Sequence, residues 1–596
     1  MRSSLNENAP LSGHLLLLVD TVTILSILGY FWSLDTNRWP VGVFHGLFIV
    51  ASVLTSYAVL SSRLRFAHKT FLVTLWSLSL RLAVPFRIET GILSNDPDPL
   101  FVRQLAMSIF SRGVISSSGL TGFAVNYAQF PALEILVSSL SQVSRIEIDT
   151  ILKFGGAFVG TLGLLLLVLG FKRICGPFWA VVSGLIASTF TNFITMVNGT
   201  IGLMFSIILI FGILHGKRSG TAIAIVGLAA MVVSHDLTPL QVLIVLVFAS
   251  GFCVVFPQQH QELSLAAAML MLLTAFSAWI LFTTGSALAT FSGILNILRR
   301  SLEPTLAEAP QIVYMPRMLS LIGLASYALL LVAGFVLFVF GKTEKRMRII
   351  FALCFGAGAY FVFGSLPFIL SSGFGIKGSG GDVLPRSVEY LYIVGAPVGA
   401  VVLERLLGRT PETMIRSAGS SALVWLTRAS RKRAWAATLL LSIILMPTFY
   451  FFVTPMYYDI DAPWVALDVR LPLSEWQTAA EWVGAHSPLS PKLYGDMVAV
   501  TFIGAVGKQN IYYIIEENLD IHYLLRSVPS AVVLNESSAS LLKQSIPFDN
   551  LVYSDSVVLI VLVTPARSTS VQLGYLSSQP EVHDRIIPSE DPCVAP

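Results

Sequence analysis

The chain has 596 residues, of which 55% are hydrophobic and only 12% are charged. Because soluble globular proteins carry about 25% charged residues, this composition excludes an ordinary soluble enzyme and a disordered chain and indicates a polytopic membrane protein. The net charge of +4 is small, and the basic residues stand in short runs between apolar segments, so we predict no nucleic-acid partner. The four cysteines form no CxxC pair, which argues against a disulfide framework or a cysteine metal site.

The apolar segments define the predicted fold class. A membrane-spanning helix needs about 20 mostly apolar residues, and the sequence contains about thirteen such candidates. We therefore predict an α-helical polytopic membrane protein with about 13 transmembrane helices. Their predicted limits are 12–33, 41–61, 70–86, 149–171, 177–196, 200–214, 220–234, 239–256, 263–283, 317–341, 348–370, 388–406 and 435–454.

The basic loops predict how the chain is oriented, because cytoplasmic loops are enriched in Lys and Arg. If the amino terminus and every basic run are cytoplasmic, an even number of spans must precede each run. This condition holds only when the apolar stretch 131–143 does not cross the membrane. We therefore predict that 131–143 is a helix on the outer face, and that loop 87–148 is extracytoplasmic. The basic runs are Arg63, Arg65 and Lys69; Lys172 and Arg173; Lys217 and Arg218; Lys342, Lys345, Arg346 and Arg348; and Arg409, Arg416, Arg428, Arg431, Lys432 and Arg433.

Three regions follow from this layout. Residues 1–69 form an N-terminal transmembrane hairpin, 70–455 form the main transmembrane domain, and 456–596 form an extracytoplasmic C-terminal domain. The last region is more polar than the others, and its pattern predicts a small α/β domain. Its predicted elements are a helix over Ser474–His486 and strands over Val498–Ile503, Ile511–Ile515, Ala531–Leu534 and Val557–Val563.

The first outer loop carries the sharpest candidate site. Asp96 and Asp98 follow Glu89, and each of the two is followed by a proline, which disfavours helix at the residue before it. Such a pair can hold a divalent cation through oxygen ligands or act as a general base toward a hydroxyl or amine. The alternative is a solvated turn, because Asp, Asn and Pro are turn residues. The helix predicted over Pro99–Gly113, with Arg103 on its polar side, is typical of a membrane interface.

A second candidate site lies between the spans 220–234 and 239–256. The segment Ser234–Pro239 contains His235 and Asp236, and ionisable residues at membrane depth usually face a polar cavity. Asp236 or Thr238 can instead cap the following helix. Capping does not account for His235, which could donate to a phosphate or a sugar hydroxyl.

A third candidate is Arg386, at the outer entry of the span 388–406. A guanidinium group binds phosphate or pyrophosphate with two parallel hydrogen bonds. The alternative is an arginine that extends to the interface and pairs with Glu389.

The order of spans, acidic loop and outer tail resembles the GT-C superfamily of polytopic glycosyltransferases, which use sugars linked to lipid phosphates. Members include protein mannosyltransferases, the aminoarabinose transferases of lipid A and the catalytic subunits of oligosaccharyltransferases. One departure is the outer loop around residues 192–200, which has no carboxylate where many members have a second acid. The resemblance covers residues ~70–460 and rests on Asp96 and Asp98 before the helix Pro99–Gly113, on Tyr127–Pro131, on Ser234–Thr238, on Pro385–Leu406, and on Glu481–Val483 and Tyr553–Asp555 in the tail.

The resemblance implies transfer of a sugar from a polyprenyl (dolichyl-type) phosphate to an extracytoplasmic glycan, lipid or protein. Asp96 or Asp98 would accept the acceptor proton or help to place a divalent cation, Mg or Mn. Arg386 would neutralise the departing phosphate, and His235 and Asp236 would line the sugar pocket, with Glu89 and Arg103 as further substrate-binding candidates. Two alternatives stay open: a transporter or flippase for a lipid-linked or small substrate, and an inactive scaffold subunit of a cell-envelope complex.

Overall fold

The computed structural model describes fourteen helices and five strands with the short turns beside them. The helices belong to one compact unit, Met1–Ser116 with Asn126–Arg470, and the strands to a second, Ser117–Val125 with Leu471–Pro596. The described residues are 9–33, 41–61, 64–87, 98–114, 128–189, 198–216, 218–235, 237–256, 265–284, 314–340, 347–373, 383–407, 420–447, 492–495, 511–513, 530–535, 551–554 and 558–563.

Most helices follow the predicted apolar segments closely, but the last one, Ser420–Ile444, begins 15 residues before the predicted span 435–454. The stretch 131–143, predicted to be helical without crossing, is α5. In chain order the helices are α1 (Ala9–Ser33), α2 (Val41–Leu60), α3 (Phe66–Arg87), α4 (Asp98–Arg112), α5 (Ala132–Ser144), α6 (Ile148–Ala187), α7 (Asn198–His215), α8 (Arg218–Val232), α9 (Leu237–Val255), α10 (Leu265–Thr284), α11 (Tyr314–Phe340), α12 (Arg348–Gly373), α13 (Val383–Leu407) and α14 (Ser420–Ile444).

Helix α6 covers two predicted spans, 149–171 and 177–196. Its backbone leaves the helical region at Gly176 (φ 80°, ψ 169°), immediately before Pro177. Glycine tolerates this left-handed φ, and the proline cannot continue the hydrogen-bond ladder. The chain therefore turns at this point, and the two halves correspond to the two predicted spans.

Within the described residues, six helices are long and apolar enough to cross a membrane, as judged by length and composition. Five further apolar helices are shorter. The predicted total of about 13 spans stays a prediction. The six are Ile148–Ala187, Asn198–His215, Leu237–Val255, Leu265–Thr283, Leu321–Phe340 and Arg386–Arg405.

Several helices keep large apolar side chains on the outside of the helical unit. On α11 the exposed residues include Leu329, Val332 and Val336, which recur at helical spacing and so form one stripe. Contiguous exposed apolar surface of this kind is unfavourable in water. These stripes therefore suit contact with lipid, whereas α13 is surrounded by other helices over most of its length.

Contacts near the break in α6 bring three of the five basic runs to one end of the helical unit. Lys69 lies over the ring of Phe178, with 4.1 Å between the ammonium nitrogen and the ring centroid. Arg173 donates a hydrogen bond of 2.5 Å to the carbonyl oxygen of His215, near the end of α7. The common location of these runs is what the orientation rule requires. That this end is cytoplasmic stays a prediction.

α1 and α2, the helices of the predicted N-terminal hairpin, pack against each other, and α1 also packs against α3; the transmembrane hairpin itself stays a prediction. Its two helices are joined by a buried hydrogen bond of 2.9 Å from the Thr55 hydroxyl to the Asp20 carboxylate. A polar pair between apolar helices fixes how they face each other, because the alternative is an unpaired polar group.

Close helix contacts depend on glycine at specific positions, and Gly356 gives a testable case. A Cβ atom on Gly356 in α12 would lie 2.2 Å from the carbonyl oxygen of Val245 in α9, whereas a Cβ on Gly358 meets nothing within 4 Å. We expect Gly356→Ala to lower the free energy of unfolding by about 1–3 kcal/mol, because the two backbones must separate. Gly358→Ala should be neutral or stabilising by up to about 1 kcal/mol through helix propensity.

The measurement is thermal unfolding of the two variants and the wild type, purified in the same detergent. A decrease in Tm for Gly356→Ala alone supports the packing described here. Equal effects of the two substitutions would contradict it.

The second unit contains a five-stranded mixed sheet in the order β2-β1-β3-β5-β4. β1 is parallel to β2 and β3, and β5 is antiparallel to β3 and β4. Three of the four predicted strands overlap β2, β3 and β5. The predicted strand 498–503 and the predicted helix 474–486 lie outside the described residues, so the α/β domain stays a prediction. The strands are β1 (Lys492–Gly495), β2 (Ile511–Tyr513), β3 (Ser530–Asn535), β4 (Leu551–Ser554) and β5 (Val558–Val563).

Candidate functional site

The candidate site lies at the first turn of α7, at the end of the helical unit opposite to the basic runs. Gly199 is the second residue of α7. A Cβ atom on Gly199 would lie 3.7 Å from Nε2 of His235 and 3.8 Å from Nη1 of Arg386. The histidine and the arginine, which the sequence singled out independently, therefore meet at one point. Both side chains are half-buried.

The orientation of His235 is set by Thr238. The backbone N–H of Thr238 donates to Nδ1 of His235 at 3.0 Å, and the Thr238 hydroxyl oxygen lies 2.8 Å from the same nitrogen. Because Nδ1 accepts this hydrogen bond, a neutral ring carries its hydrogen on Nε2. His235 therefore satisfies a backbone donor at the start of α9 and directs an N–H donor toward the start of α7. The sequence left open that Asp236 or Thr238 caps this helix; Asp236 lies outside the described residues, and the described hydrogen bond at the helix start goes from the Thr238 N–H to His235.

The approach of α9 to α7 is close because Gly202 has no side chain. A Cβ on Gly202 would lie 2.6 Å from Oγ1 of Thr238 and 3.1 Å from Cβ of His235. One turn further along α7, the hydroxyl of Ser206 lies 3.3 Å from that of Tyr390 on α13. These contacts hold α7, α9 and α13 at fixed spacing, and so they fix the distance between the histidine and the arginine.

Two hydrogen bonds hold the segment before α5 against this site. The indole nitrogen of Trp279 on α10 donates to the carbonyl oxygen of Gln129 at 3.2 Å. The side-chain amide of Asn198 donates to the carbonyl oxygen of Phe130 at 3.1 Å. The end of the segment Tyr127–Pro131, which carries part of the family resemblance, is thus attached to α10 and to the first residue of α7.

The geometry suits an anion. The first turn of a helix presents backbone N–H groups without intrahelical partners and a positive dipole end, and such helix ends bind phosphate. Arg386 adds a guanidinium group and His235 adds a ring N–H. Three kinds of donor therefore lie near one point, and their charge suits an anion such as a phosphate monoester or diester.

The same donors do not fit a divalent cation, which needs oxygen ligands or neutral imidazole and thiolate groups. Within the part of the chain that the structure describes, no group of three or more His, Cys, Asp and Glu residues could hold a metal ion. Asp96 and the side chain of Asp98 lie outside the described residues, so the possible Mg or Mn site there stays a prediction, and no step below depends on it.

The other residues predicted for the site fall as follows. Glu89, Asp96 and Asp236 lie outside the described residues. Asp98 is the first residue of α4, and its side chain is outside the description. Their convergence with Arg386 therefore stays a prediction.

Arg103 is engaged in an ion pair. Its guanidinium group makes hydrogen bonds of 2.6 and 3.2 Å to the two carboxylate oxygens of Asp149, so it joins α4 to the start of α6. Both side chains are about a quarter exposed. The pair therefore fixes α4 on the helical unit, and a substrate-binding role for Arg103 stays a prediction.

Sequence reasoning missed Glu134 and Asn198. Glu134 is completely buried in α5, and the side chain of Asn198 is one of the groups that act on its pKa. The signal was present, because a carboxylate inside the apolar stretch 131–143 is costly unless it serves a purpose. Asn198 belongs to the loop around residues 192–200, for which the sequence analysis noted only that it has no carboxylate.

No protein-family model matches the chain, and no curated protein sequence matches it. Solved structures do match. The Archaeoglobus fulgidus oligosaccharyltransferase tethered with an acceptor peptide has a TM-score of 0.50 at 13% identity, over 78% of this chain and 68% of that chain. Its apo form has a TM-score of 0.50 at 12% identity, over 78% and 69%. ArnT from Cupriavidus metallidurans bound to undecaprenyl phosphate has a TM-score of 0.47 at 13% identity, over 85% and 98%.

The similarity to the oligosaccharyltransferase concerns the fold. It confirms, at that level, the GT-C resemblance predicted from the order of apolar segments and outer loops. The protein is a multi-pass helical membrane protein with a fold of the GT-C type.

Proposed function

We propose that the protein transfers a sugar from a polyprenyl (dolichyl-type) phosphate to an extracytoplasmic glycan, lipid or protein. The observation that carries this proposal is the meeting of His235, Arg386 and the first turn of α7 around Gly199. An anion site at one end of a lipid-facing helical unit suits a phosphate whose hydrocarbon chain stays in the bilayer. The GT-C-type fold supports the same kind of chemistry.

The reaction follows from the charge at each centre. Asp96 or Asp98 accepts a proton from the acceptor hydroxyl or amide, and the freed electron pair forms a bond to the anomeric carbon of the sugar. The bond from that carbon to the phosphate oxygen breaks, and its electron pair leaves with the polyprenyl phosphate. Negative charge grows on that oxygen in the transition state, where positioned donors lower the barrier most. Arg386 and His235 are the donors in this proposal.

The regions predicted from the sequence take their roles here. Residues 70–455 carry the site, 1–69 is an additional hairpin, and 456–596 is an extracytoplasmic domain. In this orientation the first turn of α7 faces the extracytoplasmic side, where Glu89 and Asp236 complete the sugar pocket.

The test is transfer of a labelled sugar from a polyprenyl-phosphate donor, with membrane extract as the source of acceptor. We expect transfer by the wild type and a decrease of at least 100-fold for one of the two variants Asp96→Asn and Asp98→Asn, because the amide cannot accept the acceptor proton. Size-exclusion chromatography of all three proteins checks that the variants are folded. Movement of the donor across vesicles without transfer would favour a transporter. No transfer and no movement would favour a scaffold subunit.

A further inference from the structure

The break in α6 creates a new helix start at the end of the helical unit that carries the basic runs. Helical geometry is lost at Gly176 and resumes with Pro177, and proline is favoured at the first position of a helix. The first N–H groups of a helix have no intrahelical partner, and together with the helix dipole they attract anions. A Cβ atom on Gly176 would meet nothing within 4 Å, so there is room for a ligand beside this helix start.

A buried lysine on α3 is directed at the same helix start. The ammonium nitrogen of Lys69 lies 4.1 Å from the centroid of the Phe178 ring, and Phe178 directly follows Pro177. The residue is only 3% exposed, and no carboxylate of the described residues forms an ion pair with it. A buried charge is costly without an opposite charge, and an aromatic ring offers only the partial negative charge of its face.

Lys69 is charged at neutral pH. It precedes the predicted span 70–86, and burial lowers its pKa from 10.5 to about 8, which leaves the ammonium form in excess at pH 7. The carboxylate of Glu404 on α13 acts on Cys175, at the end of the first half of α6, but not on Lys69. The described residues therefore contain a buried cation whose counter-ion has to come from outside them.

A second lysine lies at the same place. The ammonium nitrogen of Lys172, just before the break, lies 4.7 Å from the centroid of the Phe66 ring, and Phe66 is one turn before Lys69 on α3. Each lysine thus lies over a ring of the other helix, and the two helices present two ammonium groups together. We call Lys69, Lys172 and the helix start at Pro177 the basic corner.

Exposed apolar residues lead along α6 to the basic corner. Phe158, Leu162 and Leu169 are all exposed, and their spacing places them on one face of the helix together with Lys172. From Phe158 to Lys172 this face is about 20 Å long, at a rise of about 1.5 Å per residue. One leaflet of a bilayer has a hydrocarbon region about 15 Å deep. The stripe is therefore long enough for an acyl chain whose headgroup lies at the basic corner.

We propose that the basic corner binds the phosphate group of an anionic phospholipid. The phosphate accepts hydrogen bonds from the two ammonium groups and from the N–H groups at the helix start, while an acyl chain lies along the stripe that ends at Lys172. The bound lipid joins α3 to both halves of α6 and so stabilises the break. This site is at the opposite end of the helical unit from His235 and Arg386, and it does not depend on the proposed function.

The test uses the full chain in an uncharged detergent, with dioleoylphosphatidylglycerol as the probe and dioleoylphosphatidylcholine as the zwitterionic comparison. Tm is recorded against lipid concentration, because a ligand that binds the folded state raises Tm. We expect the anionic lipid to raise the Tm of the wild type more than the zwitterionic lipid does. Lys69→Met and Lys172→Gln should each weaken the apparent affinity for the anionic lipid at least tenfold, because each removes one of the two charges.

The variants are chosen so that folding and binding can be separated. Methionine fills the buried space of Lys69 without a charge, and Lys172 is exposed, so Lys172→Gln decides the question if Lys69→Met does not fold. Lys432→Gln is the matched control, because Lys432 is an exposed lysine of another basic run. It should bind the anionic lipid as the wild type does.

Three results would overturn the proposal. The first is an equal effect of the two lipids on the wild type. The second is wild-type affinity in Lys172→Gln, or an equal loss in Lys432→Gln, which would indicate diffuse attraction between charges. The third concerns soluble glycerol phosphate, which should leave Tm unchanged at the same phosphate concentration. If it raises Tm as much as the anionic lipid does, the ligand is a free phosphate and the lipid is excluded.

Discussion

Replacing Arg386 with alanine is expected to weaken the binding of dolichyl phosphate about 100-fold, which corresponds to about 2.8 kcal/mol. Arg386 is the formal positive charge at the point where Gly199 and His235 meet. A hydrogen bond to a charged group contributes about 1.5–3 kcal/mol, and a guanidinium group can make two in parallel to one phosphate. Arg386→Lys should recover only part of the loss, because an ammonium group keeps the charge and loses the paired geometry.

The matched control is Arg405, which lies on the same helix near its other end and is exposed. Arg405→Ala removes the same charge from α13 without touching the site, and we expect wild-type binding. The measurement is the shift in Tm with dolichyl phosphate concentration, since a ligand that binds the folded state raises Tm. The phosphate site would be contradicted if Arg386→Ala bound dolichyl phosphate with wild-type affinity, or if Arg405→Ala lost as much affinity as Arg386→Ala.

The membrane helices could be predicted from the sequence because their signal is local. A run of apolar residues of sufficient length identifies a helix without knowledge of its neighbours, and α7, α9 and α10 all begin within two residues of their predicted limits. The strands of the second unit were harder. β1 has only two apolar residues, Leu493 and Tyr494, yet it pairs with strands on both sides. Such a strand forms because it pairs with neighbouring strands, and its own residues carry no signal for that pairing.

The candidate site also combines features that a local sequence pattern reveals with features that depend on the packing of distant segments. His235 and Arg386 could be selected individually, because a charge at the mouth of an apolar span is unusual. Their meeting at Gly199 could not be predicted, since it depends on how α7, α9 and α13 cross. Glycine at such a crossing has no chemical signature of its own; its importance comes from what a side chain would meet. Glu134 was missed for a related reason, because Asn198, which acts on its pKa, belongs to another helix.

Replacing Gly202 with alanine is expected to reduce dolichyl-phosphate binding and sugar transfer about 10- to 100-fold while leaving the protein folded. The added methyl group would lie 2.6 Å from Oγ1 of Thr238 and 3.1 Å from Cβ of His235. Thr238 cannot simply rotate away, because its side chain is buried and its hydroxyl lies 2.8 Å from Nδ1 of His235. Either the two helices separate or the Thr238–His235 contact breaks, and both move His235 relative to Arg386. A displacement of about 1 Å in a positioned group can cost 100-fold in rate.

In free-energy terms, we expect Gly202→Ala to weaken dolichyl-phosphate binding more than it lowers the stability of the fold. Alanine improves helix propensity by about 1 kcal/mol, and this gain offsets part of the packing cost. Gly251 on α9 provides the control, since a Cβ there meets nothing within 4 Å. Gly251→Ala should bind and transfer as the wild type does. Transfer and Tm are measured on both variants, so that a global effect can be separated from a local one. If Gly202→Ala keeps full affinity, the spacing of α7 and α9 does not set the geometry of the site. If Gly202→Ala instead loses affinity only in proportion to Tm, glycine is required there for folding rather than for the position of His235.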